Sequence, residues 1–202
     1  MEFTAKPSAV DIRELLLEAA VRVYAEVGTR GATTRRIAHE AGVNEVSLFR
    51  HFGSKEQLIR EALGLRAHAA LPGRLPDRPI DPPRELEDFA REYHAALYAH
   101  RSIVRKTMGE FEEHPDVCSI ACERPRALGV ELAAYLETLR HNGLAGGSWS
   151  ASAAAGMLMG TLFADALGRD CMPELYGASE TDAIQEYVRL FLTSIGATGS
   201  TR

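Results

Sequence analysis

The feature that most restricts how this chain can fold is the stretch TTRRIAHEAGVNEVSLFRHFGSK, residues 33–55, in which Ala38, Gly42 and Leu48 recur at fixed spacing. Ala38 is small enough for two helices to cross closely. Gly42, four residues later, can take the left-handed backbone conformation that ends a helix. Leu48, six residues further on, can close a small core between the two. A near-perpendicular helix pair joined by a short Gly-containing turn is a helix-turn-helix unit. The second helix of such a unit enters the major groove and contacts base edges.

The helix signals agree. Thr33 or Thr34 can cap the first helix and Asn44 the second, because their side-chain oxygens accept a free backbone N–H. The second helix is expected over residues 45–51, with Glu45, Val46, Ser47, Arg50 and Phe49 facing outward. Ser54 then caps a third segment, SKEQLIREALGLRAHAA. Upstream, Leu16, Ala20, Val23, Tyr24 and Val27 form one apolar stripe, and Gly28 ends the helix that carries it. That helix packs behind the reading pair, which is too short to persist alone. An ordinary helical hairpin with no DNA role has the same bare spacing.

The longer pattern narrows the choice. LLEAAVRVYAEVGTRG followed by GATTRRIAHEAGVNEVSLFRHFGSKEQLIREAL resembles the N-terminal DNA-binding domain of the TetR (tetracycline repressor) family of bacterial regulators, over roughly residues 12–65. Two positions depart from the family's usual pattern. Phe49 stands where Tyr is most frequent, which removes a hydroxyl able to reach a phosphate. Asn44 stands where Ser or Thr is common, and caps equally well. The resemblance implies an all-α protein, with a helix-turn-helix domain over residues 1–54 and a larger helical ligand-binding and dimerisation domain over residues 55–202. It implies DNA contacts at Thr33, Thr34, Arg35, Glu45, Val46, Ser47, Phe49, Arg50, His51, Ser54 and Lys55. Of these, Thr34, Ser54 and Lys55 suit phosphates, and Phe49 and His51 sugar or phosphate. Arg35, Glu45, Val46, Ser47 and Arg50 suit base edges. The Arg50 fork matches guanine O6 and N7, whereas Glu45 can accept from cytosine or simply favour the helix N-terminus.

The net charge of −5 looks wrong for a DNA binder until it is mapped. Residues 1–66 hold ten Lys/Arg against nine Asp/Glu, and residues 29–55 hold five against two. The acidic excess falls after residue 66, away from where phosphates would lie. Three cysteines suit a reducing compartment. The N-terminus lacks a signal-peptide core, and no uninterrupted run of about 18 apolar residues occurs. The expected location is the cytoplasm.

From residue 71, LPGRLPDRPIDPPRE concentrates five of nine prolines and reads as a connection. The rest reads as helical, with a frayed ATGSTR end. Apolar and aromatic groups at Tyr93, Leu97, Met108, Phe111, Leu132, Tyr135, Trp149 and Phe163 are candidates to line a pocket for a small, mainly hydrophobic effector. The same spacing also suits plain core. In the last two helices, Gly156, Gly160 and Ala164 with Ile184, Val188, Phe191, Leu192 and Ile195 form a candidate homodimer surface, because small residues admit close helix approach. Burial within one protomer is the alternative.

His114, Cys118 and Cys122 recur every four residues and raise a metal- or thiol-responsive alternative, with His94, His100 or His141 completing a site. Eight helical residues span about 12 Å, too far for all three to reach one ion without bending. No metal or other cofactor is assigned. A DNA-binding protein without a ligand is a further alternative. No phosphate-binding glycine loop, HExxH pair or nucleophile elbow appears, so no enzyme activity is expected.

Overall fold

The computed structural model describes residues 9–69, 75–176 and 179–197. The start of the proline-rich connection (71–74) and the end expected to fray (198–202) lie outside the described residues. Within them the chain is all α-helical: α1 (Ala9–Gly31), α2 (Thr34–Glu40), α3 (Glu45–Phe52), α4 (Lys55–Ala69), α5 (Pro82–Ala99), α6 (Arg101–Gly109), α7 (Pro115–Ala121), α8 (Glu123–His141), α9 (Ala151–Gly168) and α10 (Glu180–Ser194). They form two compact units, one of the described residues 9–69 and 102–123, the other of the described residues 75–101, 124–176 and 179–197.

The first unit is built on the stripe of α1. Leu16, Ala20, Val23 and Tyr24 are buried with Ile37 of α2, Leu48 and Phe52 of α3, Leu58, Ile59 and Ala62 of α4, and Val117 of α7. Gly28 breaks α1 with φ of 68°, a conformation side chains rarely adopt, and a Cβ there would displace the Glu110 carboxylate, 2.0 Å away. That carboxylate follows α6 and accepts from the Thr29 amide at 2.9 Å and the Thr29 hydroxyl at 2.7 Å. Tyr24 and Thr107 join their hydroxyls at 3.1 Å in the interior, and burial holds the Tyr24 phenol well above its usual range. The sequence expectation put a division at residue 54. The compact unit instead takes in α4, α6 and α7, because polar groups at the end of α1 find their partners on α6 and the turn after it.

The second unit packs α5, α8, α9 and α10. Leu86, Phe89, Ala90, Tyr93 and Leu97 of α5 are buried, as are Leu158 and Leu162 of α9 and Ile184, Val188, Phe191 and Leu192 of α10. Tyr135 of α8 donates to Glu85 at 2.6 Å, tying α8 to the start of α5. The loop before α9 is clasped by Trp149, whose indole N–H points at the carbonyls of Gly146 (2.6 Å) and Ile195 (3.2 Å), with Arg140 over its ring at 5.2 Å.

One expectation changes here. By length and composition α9 is long and apolar enough to cross a bilayer, with a mean hydropathy of 1.3. Half of that segment is buried in its unit and it carries the fully buried Asp165, as befits a core helix.

Candidate nucleic-acid interface

The α2–α3 pair is held by local chemistry at every joint. The Thr33 hydroxyl accepts the Arg36 amide at 3.2 Å and Asn44 Oδ1 accepts the Val46 amide at 2.9 Å, each satisfying a donor that helix geometry leaves orphaned. Between them, Gly42 sits at φ of 67°. Its amide bonds to His39 O at 3.1 Å, and the Val43 amide bonds to Ala38 O at 3.0 Å. These two bonds are the Schellman arrangement that stops α2. Ala38 and Leu48 are buried at the crossing. Asn44→Ala removes the α3 cap and should lower unfolding stability by about 0.5–2 kcal/mol, read by urea titration.

This frame presents one face of α3. Val46 is 70% exposed and Phe49 50%, and Arg50 is exposed beside them. Ser47 and His51 are half-buried, with the His51 ring tilted against Phe52 at 6.4 Å. Arg35 on α2 is exposed, whereas its neighbour Arg36 pairs with Glu26 at 2.6 Å.

Thr34, Glu45, Ser54 and Lys55, all expected contact residues, also bond within the fold. Glu45 accepts a hydrogen bond from the Thr34 hydroxyl through one carboxylate oxygen, which ties the start of α3 to the start of α2. Lys55 donates to Thr29 O at 2.9 Å, holding α4 against the end of α1. Ser54 accepts the Gln57 amide at 3.1 Å as the cap of α4, and its hydroxyl proton stays available for a phosphate.

The candidate effector-lining residues do not form one group. Tyr93, Leu97, Leu132 and Tyr135 are buried in the second unit and Phe163 is half-buried there, while Trp149 is spent on its loop clasp. Met108 and Phe111 belong to the first unit, where they are 57% and 58% exposed. Helical spacing reports a face and not the neighbour that face meets.

The candidate dimer residues separate as well. Gly156, Gly160 and Ala164 are exposed on α9, and a Cβ added at either glycine would meet open space. Ile184, Val188, Phe191, Leu192 and Ile195, by contrast, are each at most 7% exposed. They are core of the second unit, because the wide apolar band of α10 is consumed by packing on α5 and α9. The exposed part of α10 carries Arg189, Leu190, Thr193 and Ser194.

The metal-binding alternative is also corrected. Cys118 is buried and donates to Thr107 O at 3.1 Å, with burial pushing its thiol up, while Cys122 lies exposed past the end of α7. Among the described residues, no group of three or more His, Cys, Asp or Glu side chains could hold a metal ion. His94 is instead part of a buried network that the sequence reading missed. Its Nε2 lies 2.8 Å from Asp165 and its Nδ1 3.2 Å from Glu180. Asp165 also accepts from Arg169 (2.7 Å) and Tyr187 (2.7 Å). The available signal was Asp165 itself, the lone charge in an otherwise apolar helix.

Comparison with known proteins meets this geometry. Residues 16–62 match the model of the bacterial regulatory proteins of the tetR family. The chain is 28% identical over 130 residues to the HTH-type transcriptional regulator YvkB of Bacillus subtilis, covering 64% of this chain and 68% of that one. It is 43% identical over 51 residues to the HTH-type transcriptional repressor KstR2 of Mycolicibacterium smegmatis, a match that spans only 25% of each chain. Among solved structures, Salmonella enterica GusR superposes with a TM-score of 0.70 at 20% identity, covering 98% of this chain and all of that one. The reading helix framed as described lies in a segment, residues 16–62, that is a DNA-binding domain of the tetR type, and the helical body shares the fold of GusR.

Proposed function

We propose that the protein is a homodimeric repressor that holds a near-palindromic operator through two copies of α3 and lets go when a small, mainly hydrophobic effector binds its second unit. The observation that carries this reading is the outward face of α3. Val46, Phe49 and Arg50 stand exposed on a helix whose other side, Leu48 and Phe52, is anchored in the core. A two-fold dimer would set two such helices about one helical turn apart, roughly 34–36 Å, or a simple departure from it.

The dimer is supported by α9. Ala153, Gly156, Met157, Gly160, Thr161 and Ala164 form an exposed row of mostly small residues at helical spacing. Beside it, an apolar groove of about 270 Å³ runs between Met157 and Thr161 of α9 and Leu190 and Ser194 of α10. The row and the groove suit a second copy of the same two helices. The effector reading rests on the buried aromatic and aliphatic groups of the second unit, Tyr93, Leu97, Leu132 and Tyr135. The family match over residues 16–62 covers the reading head and speaks for DNA contact there, not for effector chemistry.

Footprinting on duplexes selected from a random pool tests the reading, and protection of two half-sites is the expected result. Arg50→Ala should weaken operator binding by about 1–3 kcal/mol and relax preference at one base pair of each half-site. An unchanged base preference would remove Arg50 from the reading set. Ligand titration then separates the effector-responsive repressor from a DNA-binding protein indifferent to small molecules.

A further inference from the structure

We infer that α3 reads thymine through its methyl group, with Val46 and Phe49 as the apolar contact and Arg50 reading a neighbouring guanine. The inference rests on the DNA-binding reading and deepens it. Residues three and four apart on a helix are surface neighbours, so Val46 and Phe49 present one continuous apolar ridge, and Arg50 adjoins Val46 four positions on. Both apolar side chains are largely in water, 70% and 50% exposed, on a helix only eight residues long. The remaining apolar residues of that helix, Leu48 and Phe52, are buried.

Polar alternatives on the same face are reduced. Glu45, the acidic residue that would accept from a cytosine amine, is half-buried and already accepts from the Thr34 hydroxyl through one carboxylate oxygen. Phe49 has no donor for phosphate or base. Once the helix lies in the major groove, the ridge needs an apolar partner. Among the four DNA bases that groove offers one apolar group, the C5-methyl of thymine. From Val46 to Arg50 the helix rises about 6 Å, close to two base steps, so the thymine and the guanine lie within a base pair or two of each other.

The test uses the full chain and a duplex it selects from a random pool. Each thymine of the half-site is replaced in turn by uracil, which deletes the methyl and keeps every hydrogen-bonding group. One replacement should weaken binding about fourfold, the equivalent of one buried methyl group at about 0.8 kcal/mol. The same replacement should be neutral for the Val46→Ser/Phe49→Ser variant, whose fold is checked by its melting curve. Two results overturn the assignment: uracil tolerated at every position by the unmodified protein, or an equal uracil penalty in the variant. If no duplex is selected at all, the DNA-binding reading fails together with this one.

Discussion

Gly160→Glu should leave each protomer folded and split the proposed dimer. Gly160 is exposed in mid-α9, and a Cβ there meets nothing within 4 Å. Replacing a helix-interior glycine with glutamate removes a backbone-entropy penalty, so the protomer should gain about 0.5 kcal/mol if it changes at all. At a two-fold interface one substitution appears twice on facing surfaces. It would bring two carboxylates into a close helix–helix contact with no partner for either. An unpaired buried charge costs on the order of several kcal/mol, so the dimer dissociation constant should rise at least about 100-fold. Sedimentation velocity reads the change directly, and operator affinity should fall with it. A variant that still sediments as a dimer would move the interface away from α9. Phe191→Asp, the substitution that sequence spacing suggests, cannot make this distinction. Phe191 is only 3% exposed, and a charge there would unfold the second unit before it reported on assembly.

Asp165→Ala should cost the second unit about 3–5 kcal/mol, the range for removing one member of a buried ionic group. The Asp165 carboxylate is fully buried and holds Arg169, Tyr187 and His94 at 2.7–2.9 Å. Burial pushes its pKa up, but the hydrogen bonds from Arg169, Tyr187 and His94 prevail and hold it below the usual carboxylate range. Tyr187 is pushed the other way, to about 12, by burial and the same carboxylate. The sign for pH follows from the lowered value. Asp165 contributes stability at all pH above its unfolded value, near 3.9, and loses it as pH falls through the lower folded value. Urea unfolding at neutral pH should display the full loss in Asp165→Ala. The variant should then lose less than the parent on further acidification below about pH 4. An Asp165→Ala midpoint equal to the parent's would mean that Arg169, Tyr187 and His94 find other partners.

The reading head was legible because its determinants are local. Thr33, Asn44 and Ser54 act within three residues of themselves, and Gly42 takes a conformation that its own lack of a side chain permits. Leu16, Ala20 and Tyr24 keep one period along one helix. Pattern alone does not show every bond of these residues: Thr34 and Lys55, expected DNA contacts, also bond Glu45 and Thr29 within the fold. The α10 band was legible as apolar, but sequence does not count how many neighbours a helix has, and two neighbours absorbed it. Met108 and Tyr93 carry similar apolar character at helical spacing and end in different compact units.

Sequence alone determined the helical class, the caps and turn of the reading pair, and which side of α3 faces out. Those follow from backbone sterics and one-turn hydrogen bonds, which any short segment carries with it. Tertiary structure decided the clasp of Glu110 on Thr29, the joining of His94 and Tyr187 to the buried Asp165, and the inward commitment of α10. Each of these joins groups far apart in the chain, and the energy that selects them exists only once distant helices have excluded water between them.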